Sequence, residues 1–141
     1  MERFEEILDK CNWPKRLTPS QITIAHIEQF TNFNLPKDYK AYLKNYSGFE
    51  ANIGKEFVEL WDLEELPDRN HACGIFENLP DTLAIGGNGS SEFIAIERDE
   101  NDQYRIVLSP FIDLDKQYHI EIGASFSDFL IRLENEQEWF E

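Results

Sequence analysis

Leu83-Ala84-Ile85-Gly86-Gly87-Asn88-Gly89-Ser90-Ser91-Glu92-Phe93-Ile94-Ala95-Ile96 sets two short apolar runs on either side of a glycine-rich polar connection. That order reads strand–turn–strand: Gly and Asn tolerate the positive φ of tight turns, and the flanking runs suit a sheet. Downstream, Asp99-Glu100-Asn101-Asp102 turns the chain into a further run, Tyr104-Arg105-Ile106-Val107-Leu108. Tyr118, Ile120 and Ile122 alternate with His119 and Glu121, the period of a half-buried strand. Upstream, Phe57-Val58-Glu59-Leu60-Trp61 reads as a strand running into an acidic turn, Asp62-Leu63-Glu64-Glu65-Leu66-Pro67-Asp68. Ser125-Phe126-Ser127-Asp128 is a capping pattern that opens a last helix with Phe126, Phe129, Leu130 and Leu133 on one face.

The first third of the chain has a helical period instead. Phe4, Ile7, Leu8 and Cys11 form one stripe, stopped at Trp13-Pro14 because the residue before proline avoids the helical region. Thr23 is an N-cap candidate for a helix that points Ile24, Ile27 and Phe30 at the core. A third helix starts at Pro36, carries Tyr39, Tyr42, Leu43 and Tyr46 on one stripe, and places Gly48 at its C′ position. Helices, then adjacent strands, then a helix define an α+β domain with a mainly antiparallel sheet, one domain over residues 1–141.

Charge limits the function. The 141 residues hold 13 Lys+Arg against 28 Asp+Glu, a net of −15. Residues 1–44 carry seven basic and six acidic side chains, whereas residues 45–141 carry six and 22, so the whole excess belongs to the later part. Direct nucleic-acid binding draws on Lys and Arg against phosphates, and an anionic membrane surface repels this chain. A basic protein partner is attracted. With 41% hydrophobic and 13% aromatic residues the chain has material for a packed core, which excludes a disordered acidic tail. No apolar run approaches a membrane span and no basic-then-apolar leader opens the chain. Cys11 and Cys73 are too few for a disulfide framework. The expectation is a soluble cytoplasmic protein.

The residues do not call for catalysis, a metal or a cofactor. The 86–89 glycines lack the lysine and following helix of a phosphate-cradling loop and read as a hairpin connection. His71 and Cys73 have no second ligand pair at finger-like spacing, and Asp99-Glu100-Asn101-Asp102 lacks the glycine and terminal glutamate of a calcium loop. No nucleophile elbow occurs. Two groups of acids remain as partner-binding candidates: Glu59, Asp62, Glu64, Glu65 and Asp68 around Trp61, and Glu97, Asp99, Glu100 and Asp102. Trp61 fits either an aromatic anchor ringed by carboxylates or a core side chain. Trp139 and Phe140 either pack back on the domain or stay open to a partner.

Leu35-Pro36-Lys37-Asp38-Tyr39-Lys40, Tyr46-Ser47-Gly48, Leu60-Trp61, Leu83-Ala84-Ile85-Gly86, Phe93-Ile94-Ala95-Ile96 and Ser125-Phe126-Ser127-Asp128-Phe129-Leu130, in that order, resemble the SUKH superfamily and its Smi/Knr-type domain. The resemblance implies a twisted antiparallel sheet with helices packed beside it. It gives Pro36, Tyr39, Gly48, Trp61, Gly86 and Phe129 structural roles and transfers no binding site. Ser47 stands where many members carry Asn. Bacterial members are mostly immunity proteins against polymorphic toxins, many of them nucleases, while the fungal relative is a regulatory scaffold. The resemblance therefore implies a non-enzymatic immunity protein whose acidic surface neutralises a cognate toxin, a basic nuclease domain being the kind its charge fits. A regulatory interaction module is the alternative.

Overall fold

The computed structural model describes residues 2–31 and 34–140. Three helices come first, α1 (Arg3–Lys10), α2 (Ile24–Thr31) and α3 (Lys37–Asn45), followed by β1 (Phe49–Ile53) and β2 (Glu56–Leu60). A 3₁₀ turn (Leu63–Glu65), α4 (Leu66–Ala72) and α5 (Ile75–Asn78) lead to β3 (Thr82–Gly87), β4 (Glu92–Arg98) and β5 (Tyr104–Pro110). A second 3₁₀ turn (Lys116–Tyr118), β6 (Ile120–Gly123) and α6 (Phe126–Glu134) complete the order. The strands form one six-stranded sheet in sequence order with every neighbour antiparallel. The fold is the α+β arrangement expected, with an antiparallel meander between N-terminal helices and a C-terminal one.

Strand register divides the side chains between two faces. Leu83, Ile96 and Ile106 lie in line across β3, β4 and β5, as do Thr82, Glu97 and Arg105 on the other face. The aliphatic face is the core side. There α6 packs against β5 and β6, and α1 and α3 pack against α6. Tyr39, Tyr42 and Leu43 of α3 and Tyr46 at its end are fully buried, and the Tyr39 ring meets Phe126 edge-on at 5.3 Å between centroids. Burial of a wholly apolar side chain such as Leu43 contributes about 2 kcal/mol. α4 and α5 pack against β3, with Asn70 of α4 bonding the Ala84 main chain along the edge that β2 leaves unpaired, while Phe111 and His119 bring residues 111–119 against Phe93 and Glu97 of β4. Enclosed by β4, α4 and α5, all of β3 is buried.

Several expectations are corrected. Residues 62–68 are a 3₁₀ turn leading into α4 rather than an acidic turn. Asp62 accepts from Glu64 N (3.2 Å), Glu65 accepts from Asp62 N (3.0 Å), and Pro67 occupies the first helical turn, where its missing N–H costs nothing. β1, α4 and α5 add to the elements read from sequence. Phe30 is half-exposed and packs edge-on against Phe76 of α5 instead of facing the core. Gly48 is not a left-handed C′ residue, since α3 ends in extended backbone at Tyr46. It is small because a Cβ there would lie 2.6 Å from Asp62 N. The alternation read from Tyr118 starts too early: Tyr118 and His119 belong to the 3₁₀ turn and its cap before β6, the His119 side chain is fully buried against Glu97, and Ile120 at the strand's start is exposed. Ile122 is buried as expected.

Asn70 ties α4 to the sheet. Its fully buried amide donates to the Leu66 and Ala84 carbonyls (both 2.9 Å) and accepts from Ala84 N (2.8 Å), serving the bulged stretch of β3. Replacing it strands two buried backbone groups. Asn70→Ala is expected to lower unfolding free energy by about 2–4 kcal/mol in a urea titration. A loss below about 0.5 kcal/mol would show that α4 is held by its apolar contacts alone.

Candidate partner-binding surface

The first acidic group is built where β2 leaves the sheet. Trp61 N donates to Ile85 O, and the Trp61 ring is only 3% exposed. Its role is therefore to fill the interior and not to serve as an anchor open to a partner. Arg69 lies over the ring at 4.9 Å and is itself held by the Glu65 carboxylate at 2.9 Å. Asp62 is paired with Arg16 at 2.8 Å, and Glu64 accepts from Ser20 Oγ and Gln21 N. Much of this group's charge is thus committed within the fold. Glu59 is different.

Across the ladder from Glu59 stands Glu50 of β1, a residue the sequence reading did not nominate because β1 went unread. Neither carboxylate has a cation or hydrogen-bond donor among the described residues. Like charges in directly opposed positions destabilise a sheet, so the pair persists by keeping its solvation. A cleft of ≈ 340 Å³ is lined by Gly48, Phe49, Glu50, Glu59, Leu60 and Glu65. A neighbouring one of ≈ 450 Å³ shares Gly48 and Glu65 and adds Asp62 and Glu64 together with the cations Lys15 and Arg16. The β1–β2 hairpin and the 3₁₀ turn thereby share one acidic corner whose unpaired charge lies on the hairpin, since Asp62 and Glu65 are held by Arg16 and Arg69. Asp68 is exposed on the first turn of α4.

The second group stands elsewhere. Glu59 is opposite Gly87 and Glu97 is opposite Thr82, at the two ends of β3, about 16 Å apart along the strand. Glu97 is buried, accepts from Arg105 Nε at 2.7 Å and pairs with His119 Nδ1 at 2.5 Å. It fastens residues 111–119 to the sheet and offers a partner little surface. Asp99 accepts from Asn101 N and Gln103 N and shapes the β4–β5 turn. Asp102 lies 3.9 Å from Arg98, and Glu100 is exposed. The structure does not bring the two acidic groups together.

The remaining features fall into place as structure. The 86–91 segment is the β3–β4 hairpin, and Gly86 is required because a Cβ would lie 2.0 Å from Glu59 O. Cys11 and Cys73 are separate free thiols, with burial raising the Cys11 thiol above its usual range. Among the described residues no group of three or more His, Cys, Asp or Glu side chains is placed to hold a metal ion, and no helix is long and apolar enough to cross a membrane. Trp139 packs back, its main-chain N–H donating to the Glu56 carboxylate, while Phe140 is exposed. Glu141 lies outside the described residues.

A six-stranded meander flanked by helices thus carries the Glu50/Glu59 pair on its outermost hairpin. The SMI1 / KNR4 family (SUKH-1) matches residues 18–132, and the chain belongs to that family. Among curated proteins none matches its sequence.

Glu97 supplies a pH test. Burial alone would raise its carboxyl, but hydrogen bonds from His119 and Arg105 outweigh it and hold the group at about 2, against 4.5 when unperturbed. Because the folded value is the lower, the stabilisation is complete above about pH 5 and is withdrawn as the pH falls towards 2. It amounts to about 3 kcal/mol. Glu97→Gln is expected to be less stable than the parent by about 2–3 kcal/mol at neutral pH, with the gap closing in acid. Urea titrations at neutral pH and near pH 3 check this, and a gap independent of pH would contradict it.

Proposed function

We propose that the protein is a cytoplasmic immunity protein that binds a cognate toxin and blocks it stoichiometrically, without catalysis. The observation that carries this reading is the opposed, uncompensated pair Glu50 and Glu59, set in a cleft with Glu65 at its rim. A surface of this kind complements a basic partner and speeds its encounter. A nuclease domain presents such a basic surface to phosphates, so an acidic inhibitor can occupy it. Family membership supports a Smi/Knr-type or immunity role, and SUKH domains are generally non-catalytic interaction modules. Glu59, Glu64, Glu65 and Asp68 are the acids assigned to the interface, with Glu50 added from the structure. Glu100, Asp99 and Asp102 form a secondary acidic site at the far end of β3.

Affinity capture from source cells at low and high salt, read by mass spectrometry, tests the proposal. The expected result is one modular toxin with a basic domain, held less well in salt. Recovery of several housekeeping or signalling proteins and no toxin would instead establish the regulatory, scaffolding role. With the captured partner, the triple variant Glu50→Lys, Glu59→Lys, Glu64→Lys is expected to associate at least about tenfold more slowly and with a flatter salt dependence. Glu100→Lys with Asp102→Lys is expected to change the rate less than about threefold. Equal effects of the two variants would remove the β1–β2 corner as the interface.

A further inference from the structure

The acidic corner is also the end of the sheet. β1 pairs with β2 alone, so its outer edge is one of the two edges of the meander. The hairpin is closed by residues 54 and 55, with Gly54 at φ 60°. In a two-residue hairpin the pair flanking the loop exchanges both hydrogen bonds, and bonded and non-bonded pairs then alternate. Ile53/Glu56, Ala51/Val58 and Phe49/Leu60 are therefore the bonded pairs, and Asn52/Phe57 and Glu50/Glu59 are not. The N–H and C=O groups of Glu50 and Asn52 consequently point outward. Both residues are exposed, and no hydrogen bond outside the β1–β2 ladder reaches either among the described residues.

The opposite edge differs. β6 packs against α6, and its Glu121 is paired with Arg132 of that helix at 3.3 Å. At β1 the same helix comes close at the hairpin tip, where the Leu133 carbonyl abuts Gly54. The edge of β1 from Glu50 to Asn52 is thus left to solvent, and an unpaired edge is a template for another strand.

Charge selects the occupant. A second copy of this chain carries its own net charge of −15 and would bring Glu50 and Glu59 against identical side chains. An extended basic segment instead gains main-chain hydrogen bonds while placing alternate Lys or Arg side chains beside the Glu50/Glu59 pair. We propose that the partner is engaged by strand addition: an extended basic segment pairs with the outer edge of β1 as a seventh strand. Glu50 and Asn52 exchange main-chain hydrogen bonds with it, and Glu50 and Glu59 receive its cationic side chains. The inference rests on the acidic-surface reading above and adds the mode of engagement.

The test uses the isotopically labelled full chain and the peptide acetyl-Lys-Val-Lys-Thr-Lys-Val-amide, followed by amide NMR shifts and exchange rates. The expected result is that the Glu50 and Asn52 amides shift and exchange at least about tenfold more slowly, and that the peptide with N-methylated backbone amides binds at least about tenfold more weakly. If the methylated peptide binds equally well, with shifts confined to the glutamate side chains, strand addition is overturned while the acidic-surface reading stands. If the lysine peptide binds no better than its Glu-for-Lys counterpart, both fall. Concentration-dependent shifts of Glu50 and Asn52 without peptide would put a second copy on the edge and overturn the proposal.

Discussion

Enclosure of β3, β4 and β5 is the constraint on which the rest of the structure depends. A strand buried on both sides has no solvent for a charged group, so any charge there must bring its own partner. Glu97 satisfies this rule with Arg105 and His119. Asn70 does the same for the bulged stretch of β3. The central strands are enclosed by the helices and by residues 111–119, whereas Glu50 and Glu59 of the outer hairpin remain partly or wholly open to solvent. Acids can remain there without partners, and there Glu50 and Glu59 do.

An acidic composition therefore resolves into two populations. One is structural: Asp62 with Arg16, Asp81 with Arg98, and Glu97 with Arg105 each serve local geometry. The other keeps its charge for long-range attraction. Exposed ion pairs contribute little stability, so the distinction matters less for folding than for what the surface can attract. The charge most available to a partner lies where the sheet is least covered.

Much of the fold was legible in the sequence because its signals are periodic and local. The stripe of Tyr39, Tyr42, Leu43 and Tyr46, the 86–91 hairpin and the Ser125 cap all appear where the spacing put them. β1 is hard to read because Phe49-Glu50-Ala51-Asn52-Ile53, although it alternates apolar and polar, holds three poor strand formers in Glu50, Ala51 and Asn52. α4 was hidden by a helix start that looked like a turn, although Asp62 and Glu65 are three apart with Pro67 following, a readable capping signal. Surface residues were harder. The acidity of Glu97 was visible, but its burial depends on a pairing with His119, 22 positions away. Glu50 gains its meaning only from the register that sets it opposite Glu59.

The central claim is that the uncovered β1–β2 corner, and not the far end of β3, meets the partner. Hydrogen–deuterium exchange of the chain alone and in its captured complex tests this most directly. The account predicts that protection concentrates between residues 49 and 65. Protection confined to residues 97–105, with residues 49–65 exchanging as in the free chain, would contradict it.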